Sequence, residues 1–165
     1  MSNLKELLGD VSPFLERLFL LLKKDHIDVS NYELDHVCYR VETMKRYKEL
    51  KKKLKRYGDL LSETEIGGRP ISTFKLYKPL QFANRNIYCI ELPAPKDNSF
   101  YKEGYEHAEF VIDLSFQDFM NLYRRVNFET KALSKPINPD ISIKYDGLSV
   151  KFHQHSLEYV INYLE

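Results

Sequence analysis

Apolar residues recur at helical spacing near the start of the chain, then at every second position, and later the same switch happens again. The spacing predicts helix over the first 25 residues. Ser12-Pro13 supplies a cap and a first-turn proline, Leu15, Leu18, Phe19 and Leu22 form one face, and Lys23-Lys24 suit the C-terminal end. From Leu34 the period is two, so 34–41 reads as a strand with His36, Cys38 and Arg40 on one face. A basic helix over 44–57 follows, with Tyr47, Leu50 and Leu54 as its apolar side and Gly58 as its end. Three extended runs come next, 60–66, 71–77 and 87–92. They are separated by Gly67-Gly68 and by residues 82–86, and stopped by Pro93-Ala94-Pro95.

After a polar linker, 96–104, the order begins again. Residues 105–114 read as a strand, 115–127 as a helix with Phe116, Phe119, Met120 and Tyr123 on one side, and three extended runs complete the set. The last two are a hairpin, 141–145 and 148–153, around Asp146-Gly147. Ser156 caps a short final helix holding Leu157, Val160 and Ile161. The two openings also agree residue by residue: Asp35-His36-Val37-Cys38-Tyr39-Arg40-Val41 lies over Glu106-His107-Ala108-Glu109-Phe110-Val111-Ile112. The expected fold is therefore α+β. Two paired βαβββ modules (32–95 and 104–165) form a curved mixed sheet around a cavity, with a helical extension over 1–31, all in one domain.

Composition adds little. With 165 residues, 43% hydrophobic and 30% charged, the chain is long enough for a core without disulfides. Its net charge of +1 gives no global attraction to nucleic acid or to an acidic membrane. The basic stretch 45–56 reads as the solvated side of an amphipathic helix, and no apolar run approaches the roughly 20 residues of a membrane span. The start of the chain reads as an amphipathic helix and not as a leader, so a cytoplasmic protein with two reduced core cysteines, Cys38 and Cys89, is the expectation.

The repeat brings chemistry with it. If modules of this kind place their first and last strands on a shared cavity, the first strands supply His36 and His107. The fourth strand of module one supplies Glu91, and the fourth strand of module two supplies His153 in the matching place. Three imidazoles and a carboxylate suit a divalent transition metal: zinc, nickel, iron or manganese. Arg40, Glu109 and Lys151 fall on the same faces. They predict an anionic substrate held by Arg40 and Lys151, with Glu109 as a general base or as a partner to a ligand imidazole. Glu109 could equally be a structural partner of Arg40. Arg69, in Gly67-Gly68-Arg69-Pro70, is placed at the cavity mouth. No Ser-His-Asp or phosphate-loop pattern stands out.

The stretches LDHVCYRVE, LLSETEIGGRPISTFKL, IELPAPK, GYEHAEFVI and SVKFHQHSLEYVI resemble the YecM-like proteins of the vicinal-oxygen-chelate superfamily, which includes glyoxalase I, extradiol dioxygenases and bleomycin-resistance proteins. The resemblance implies paired βαβββ modules with a metal at the sheet mouth. It puts the superfamily's first-strand His on His36, its fourth-strand acid on Glu91 and the second module's first-strand ligand on His107. The last ligand, often an acid in the superfamily, falls on His153, with His155 as the alternative. The function expected is a metal-dependent enzyme acting on a small, anionic, oxygen-bearing substrate, with isomerase, lyase and oxygenase chemistry all open. The alternative is a non-catalytic ligand-binding protein using the same cavity, and a basic-helix adaptor for RNA or protein is a third reading. A monomer could complete the site alone, with a small-molecule partner and neither nucleic acid nor membrane.

Overall fold

Both copies of the repeated motif lie on strands, β1 (Glu33–Arg40) and β5 (Gly104–Val111), in a computed structural model that describes residues 3–165. The chain divides into two compact units, one of residues up to Ser12 with His36–Glu106 and one of Pro13–Asp35 with His107–Glu165. Each carries parallel and antiparallel pairing, as an α+β module should.

In the first unit, helix α1 (Leu4–Leu8) accompanies α3 (Met44–Leu54) and strands β2 (Gly58–Ile66), β3 (Arg69–Phe82) and β4 (Arg85–Pro93). The three strands form an antiparallel ladder, and β1 joins β4 in parallel, giving the order β2-β3-β4-β1. Thr43 caps α3 by accepting from the Arg46 N–H, and the helix buries Tyr47, Leu50 and Leu54 as its spacing predicts. Strands β3 and β4 run past the predicted 71–77 and 87–92. Pairing resumes after a register shift between Lys75 and Leu80, and Pro79, which has no N–H to give a ladder, sits in that shift. Gly58 does not end the helix, which stops at Leu54; it opens β2. A Cβ there would lie 2.9 Å from the Leu76 Cα on β3 and closer still to the Lys75 carbonyl oxygen, so the close approach of two backbones requires glycine.

The second unit contains α2 (Ser12–Lys24), α4 (Phe116–Leu122), β6 (Ile141–Tyr145), β7 (Leu148–His153) and α5 (Leu157–Tyr163), with strand order β5-β7-β6. The single N-terminal helix expected from the sequence is broken at 9–11, where Gly9 takes φ 85°, and its two parts belong to different units. Helix α2 buries Leu15, Leu18 and Leu22 and sets Phe19 edge-on to Phe110 of β5, ring centroids 6.0 Å apart. Phe119 of α4 is fully buried, 4.7 Å from Phe152 and 5.9 Å from Phe128. The first of the three extended runs expected in this module is not a strand. Glu129 makes an isolated bridge to Ser142, and a 3-10 turn (Lys131–Ser134) follows. The Asp146-Gly147 hairpin forms as predicted, with Gly147 at φ 81°. Among the described residues no helix is long and apolar enough to cross a membrane.

Candidate functional site

In the first unit β1 presents His36, Cys38 and Arg40 on one face, and the β1–β4 ladder sets Cys89 opposite His36 and Glu91 opposite Cys38. His36 has no solvent exposure. It and Glu91 each offer a ligand atom within 4.8 Å of one another. Further along the strand, Arg40 Nε lies 3.4 Å from Glu106 Oε2, and its guanidinium carbon sits 4.7 Å from the centre of the Tyr101 ring. Arg69 Nη1 donates to the Ala94 carbonyl at 2.8 Å. Burial first, and then the like charge of Arg40, hold the Arg69 guanidinium below its ordinary basicity.

In the second unit the same geometry carries different residues. The β5–β7 ladder sets Ser149 opposite His107, Lys151 opposite Glu109 and His153 opposite Val111. The rung that holds Glu91 in the first unit therefore holds Lys151 in the second, and not His153, which lies one rung-pair further on. The sequence-based equivalence of Glu91 and His153 is corrected on this point. Alternation fixes a strand's face, but a slip of two residues keeps the face and changes the rung.

Glu109, with only 6% exposure, is the centre of this half. Its Oε1 lies 3.3 Å from His107 Nε2 and 3.9 Å from Lys151 Nζ, and its Oε2 lies 3.5 Å from His153 Nδ1. His153 is fully buried; Nδ1 is 3.0 Å from Asn138 Oδ1 and Nε2 is 3.8 Å from Asp35 Oδ2. Asp35 also accepts the Leu157 N–H at 2.9 Å, which ties the start of α5 to β1. His155 lies beyond the end of β7, exposed and stacked on Tyr159 at 4.8 Å, away from this network.

Sequence reasoning passed over Asp35, Glu106 and Asn138. The first two were visible: they are the acids that precede His in each motif copy, and each engages a residue the sequence placed in the site, Asp35 with His153 and Glu106 with Arg40. Asn138 carried no such signal. It sits between two prolines, and its left-handed φ of 51° is a loop conformation that asparagine tolerates. Imidazole beside carboxylate, with the histidine buried in each unit, is a donor set that fits a borderline divalent cation.

A family model described as YecM protein matches residues 3–137. An uncharacterized protein of Haemophilus influenzae is 32% identical, over 95% of this chain and 93% of its own length. Protein YecM of Escherichia coli is 25% identical, over 98% of this chain and 94% of its own. Among solved structures, a Streptomyces coelicolor methylmalonyl-CoA epimerase variant in complex with 2-nitronate-propionyl-CoA superposes with a TM-score of 0.54 at 11% identity, covering 75% of this chain and 97% of that one. The last likeness is one of fold, that of the vicinal-oxygen-chelate proteins.

Proposed function

The chain belongs to the YecM protein family, and from that premise we propose that it is a metal-dependent enzyme of the vicinal-oxygen-chelate superfamily, acting on a small, anionic, oxygen-bearing molecule. His36, Glu91 and His107 hold one divalent transition metal, and Glu109 supplies the fourth donor. The observation that carries this reading is that each unit buries a first-strand histidine against a carboxylate, His36 beside Glu91 and His107 beside Glu109. Imidazole nitrogen and carboxylate oxygen are both donors that a divalent transition metal takes.

Glu109 is preferred to His153 as the fourth donor because its Oε1 already lies 3.3 Å from His107, whereas His153 turns one nitrogen to Asn138 and the other toward Asp35. His153 then orients Glu109 through Oε2. A bound divalent ion would polarise a substrate carbonyl or acidify a bound water. Lys151 Nζ stands 3.9 Å from Glu109 Oε1 as its cationic neighbour. A redox-silent ion supports isomerisation or elimination at this set, and iron(II) supports oxygenation. The nitronate-bearing acyl-CoA bound to the epimerase neighbour supports an anionic, oxygen-bearing ligand class.

Lys151 in the rung where the superfamily often has an acid favours a second reading, a ligand-binding protein without turnover. Thermal unfolding in the presence of zinc, nickel, manganese and iron(II), one at a time, tests the metal-dependent reading. A rise in melting temperature that saturates at one equivalent and is lost in Glu109→Gln supports it, and melting unchanged by every metal contradicts it.

A further inference from the structure

Two guanidinium groups of the first unit, Arg40 and Arg69, lie within range of each other's charge. Arg40 is 88% buried at the side chain, taking its 12% exposure from the whole, and it has one close carboxylate, Glu106, at 3.4 Å on Nε. Its Nη1 is buried and has no hydrogen-bond partner among the described residues. A buried guanidinium N–H without an acceptor costs as much as a lost charged hydrogen bond, so it marks a place built for an acceptor that comes from outside.

Arg69 supplies the second charge. Glu91 faces Cys38 across the β1–β4 ladder, and Arg40 and Pro93, each two residues further on, are the last residues of those two parallel strands. Arg69 reaches the neighbouring residue, donating to the Ala94 carbonyl at 2.8 Å. The two cations are near enough for the charge of Arg40 to depress the basicity of Arg69, behind the larger effect of burial. Tyr101 closes one side of Arg40 with its ring at 4.7 Å. With Nε turned to Glu106, Nη1 is the edge of the fork left for an acceptor, and in-plane oxygen acceptance is the match of a carboxylate to a guanidinium.

We infer that Arg40 and Arg69 form a clamp for a substrate carboxylate, and that the substrate is a short, straight-chain acid whose carboxylate lies one strand repeat from its chelating oxygens. The spacing follows from the strand: Arg40 is two residues beyond Cys38, the residue level with Glu91, which is about 7 Å along the chain. A single acetate-sized acid cannot span that interval, and a dicarboxylate or oxo-dicarboxylate of about four to six carbons can. Lys151 is not part of the clamp, because its charge is directed to Glu109. The inference rests on the metal-dependent reading for the chelating end only; the arginine end stands on the first unit alone.

The test is calorimetric titration of the protein with succinate, glutarate, adipate, 2-oxoglutarate, acetate and inorganic phosphate, with and without one equivalent of zinc. Wild type is compared with Arg69→Gln, Arg40→Lys and the His36→Ala, His107→Ala double variant, each checked for an intact melting transition. Arg40→Lys keeps the charge facing Glu106 and removes the planar fork. The clamp requires that one or more of the longer acids bind at least tenfold tighter than acetate or phosphate. It also requires that Arg69→Gln and Arg40→Lys each weaken that acid about tenfold or more, leaving zinc binding unchanged. Acid binding that depends on the arginines in a protein that takes up no zinc keeps the clamp and removes the metal reading. Equal binding of phosphate, acid affinity unaltered by both arginine variants, or no acid bound at millimolar concentration each overturns the clamp.

Discussion

Lys151 stands in the second module on the rung that Glu91 occupies in the first, opposite Glu109 where Glu91 is opposite Cys38. The carboxylate of the second half has in effect moved across the ladder, from the last strand to the first, and the vacated rung carries its counter-ion at 3.9 Å. The donor set is thus preserved in chemistry and changed in position.

This exchange makes a prediction. Lys151→Glu adds a carboxylate beside Glu109, and two buried acids repel unless a cation lies between them. The metal-free variant melts below wild type, and its zinc affinity rises about tenfold, a change of about 1.4 kcal/mol. Calorimetric titration and melting of the metal-free protein read the two effects. Weaker zinc binding in the variant would show that Glu109 is no ligand.

Asn138 fixes His153 from a left-handed backbone position. Replacing it with glycine removes the 3.0 Å contact to His153 Nδ1 and costs about 1 kcal/mol. Replacing it with alanine loses the same contact and keeps φ at 51° on a residue that disfavours it, for about 1 kcal/mol more. Urea unfolding of the pair gives the difference; equal midpoints would place the loop's strain elsewhere.

The fold was legible wherever periodicity carries information. The period of two gave β1 and β5, the Asp146-Gly147 dipeptide gave the last hairpin, and the apolar side of α3 was read to the residue. Three features were not legible, each for a physical reason. Pro79 hid the far half of β3, because a proline that cannot join a ladder looks like a strand end although pairing resumes beyond it. Near Glu129 the expected ladder shrinks to one bridge to Ser142, which an apolar pattern does not distinguish from a strand. In the site, face was legible and rung was not: Lys151 and His153 share a face, so only the ladder could choose between them.

Gly58 offers a test of the backbone contact between β2 and β3. Gly58→Ala puts a methyl group against the Lys75 carbonyl and the Leu76 Cα and destabilises the protein by about 2 kcal/mol or more, although the residue's φ is ordinary. Chemical denaturation measures it. A variant as stable as wild type would mean that the two strands separate locally without cost.

Glu63 links stability to pH away from the site. Lys51 at 2.6 Å, the first cause, and then the Tyr47 hydroxyl, hold the Glu63 carboxyl down to about 2 from an ordinary 4.5. Burial first, and then Glu63, push the Tyr47 phenol up to about 12. A carboxyl whose folded pKa is depressed stabilises the fold above its unfolded pKa and loses that contribution as pH falls through the folded value. Glu63→Gln should therefore be less stable than wild type at pH 7. The gap should close between pH 4.5 and 2 and be absent below that. Denaturant midpoints across this range decide it, and a gap that persists at the acid end would assign the effect to packing.

The central claim is that His36 and His107 serve one metal. The direct measurement is the metal content of purified protein, wild type against a His36→Ala, His107→Ala double variant whose melting transition confirms that it is folded. The account predicts about one equivalent of a single transition metal in wild type, or uptake of one equivalent from added zinc, nickel, manganese or iron(II), and none in the double variant. Wild-type protein that takes up no metal, or a double variant that binds it as well as wild type, would contradict it.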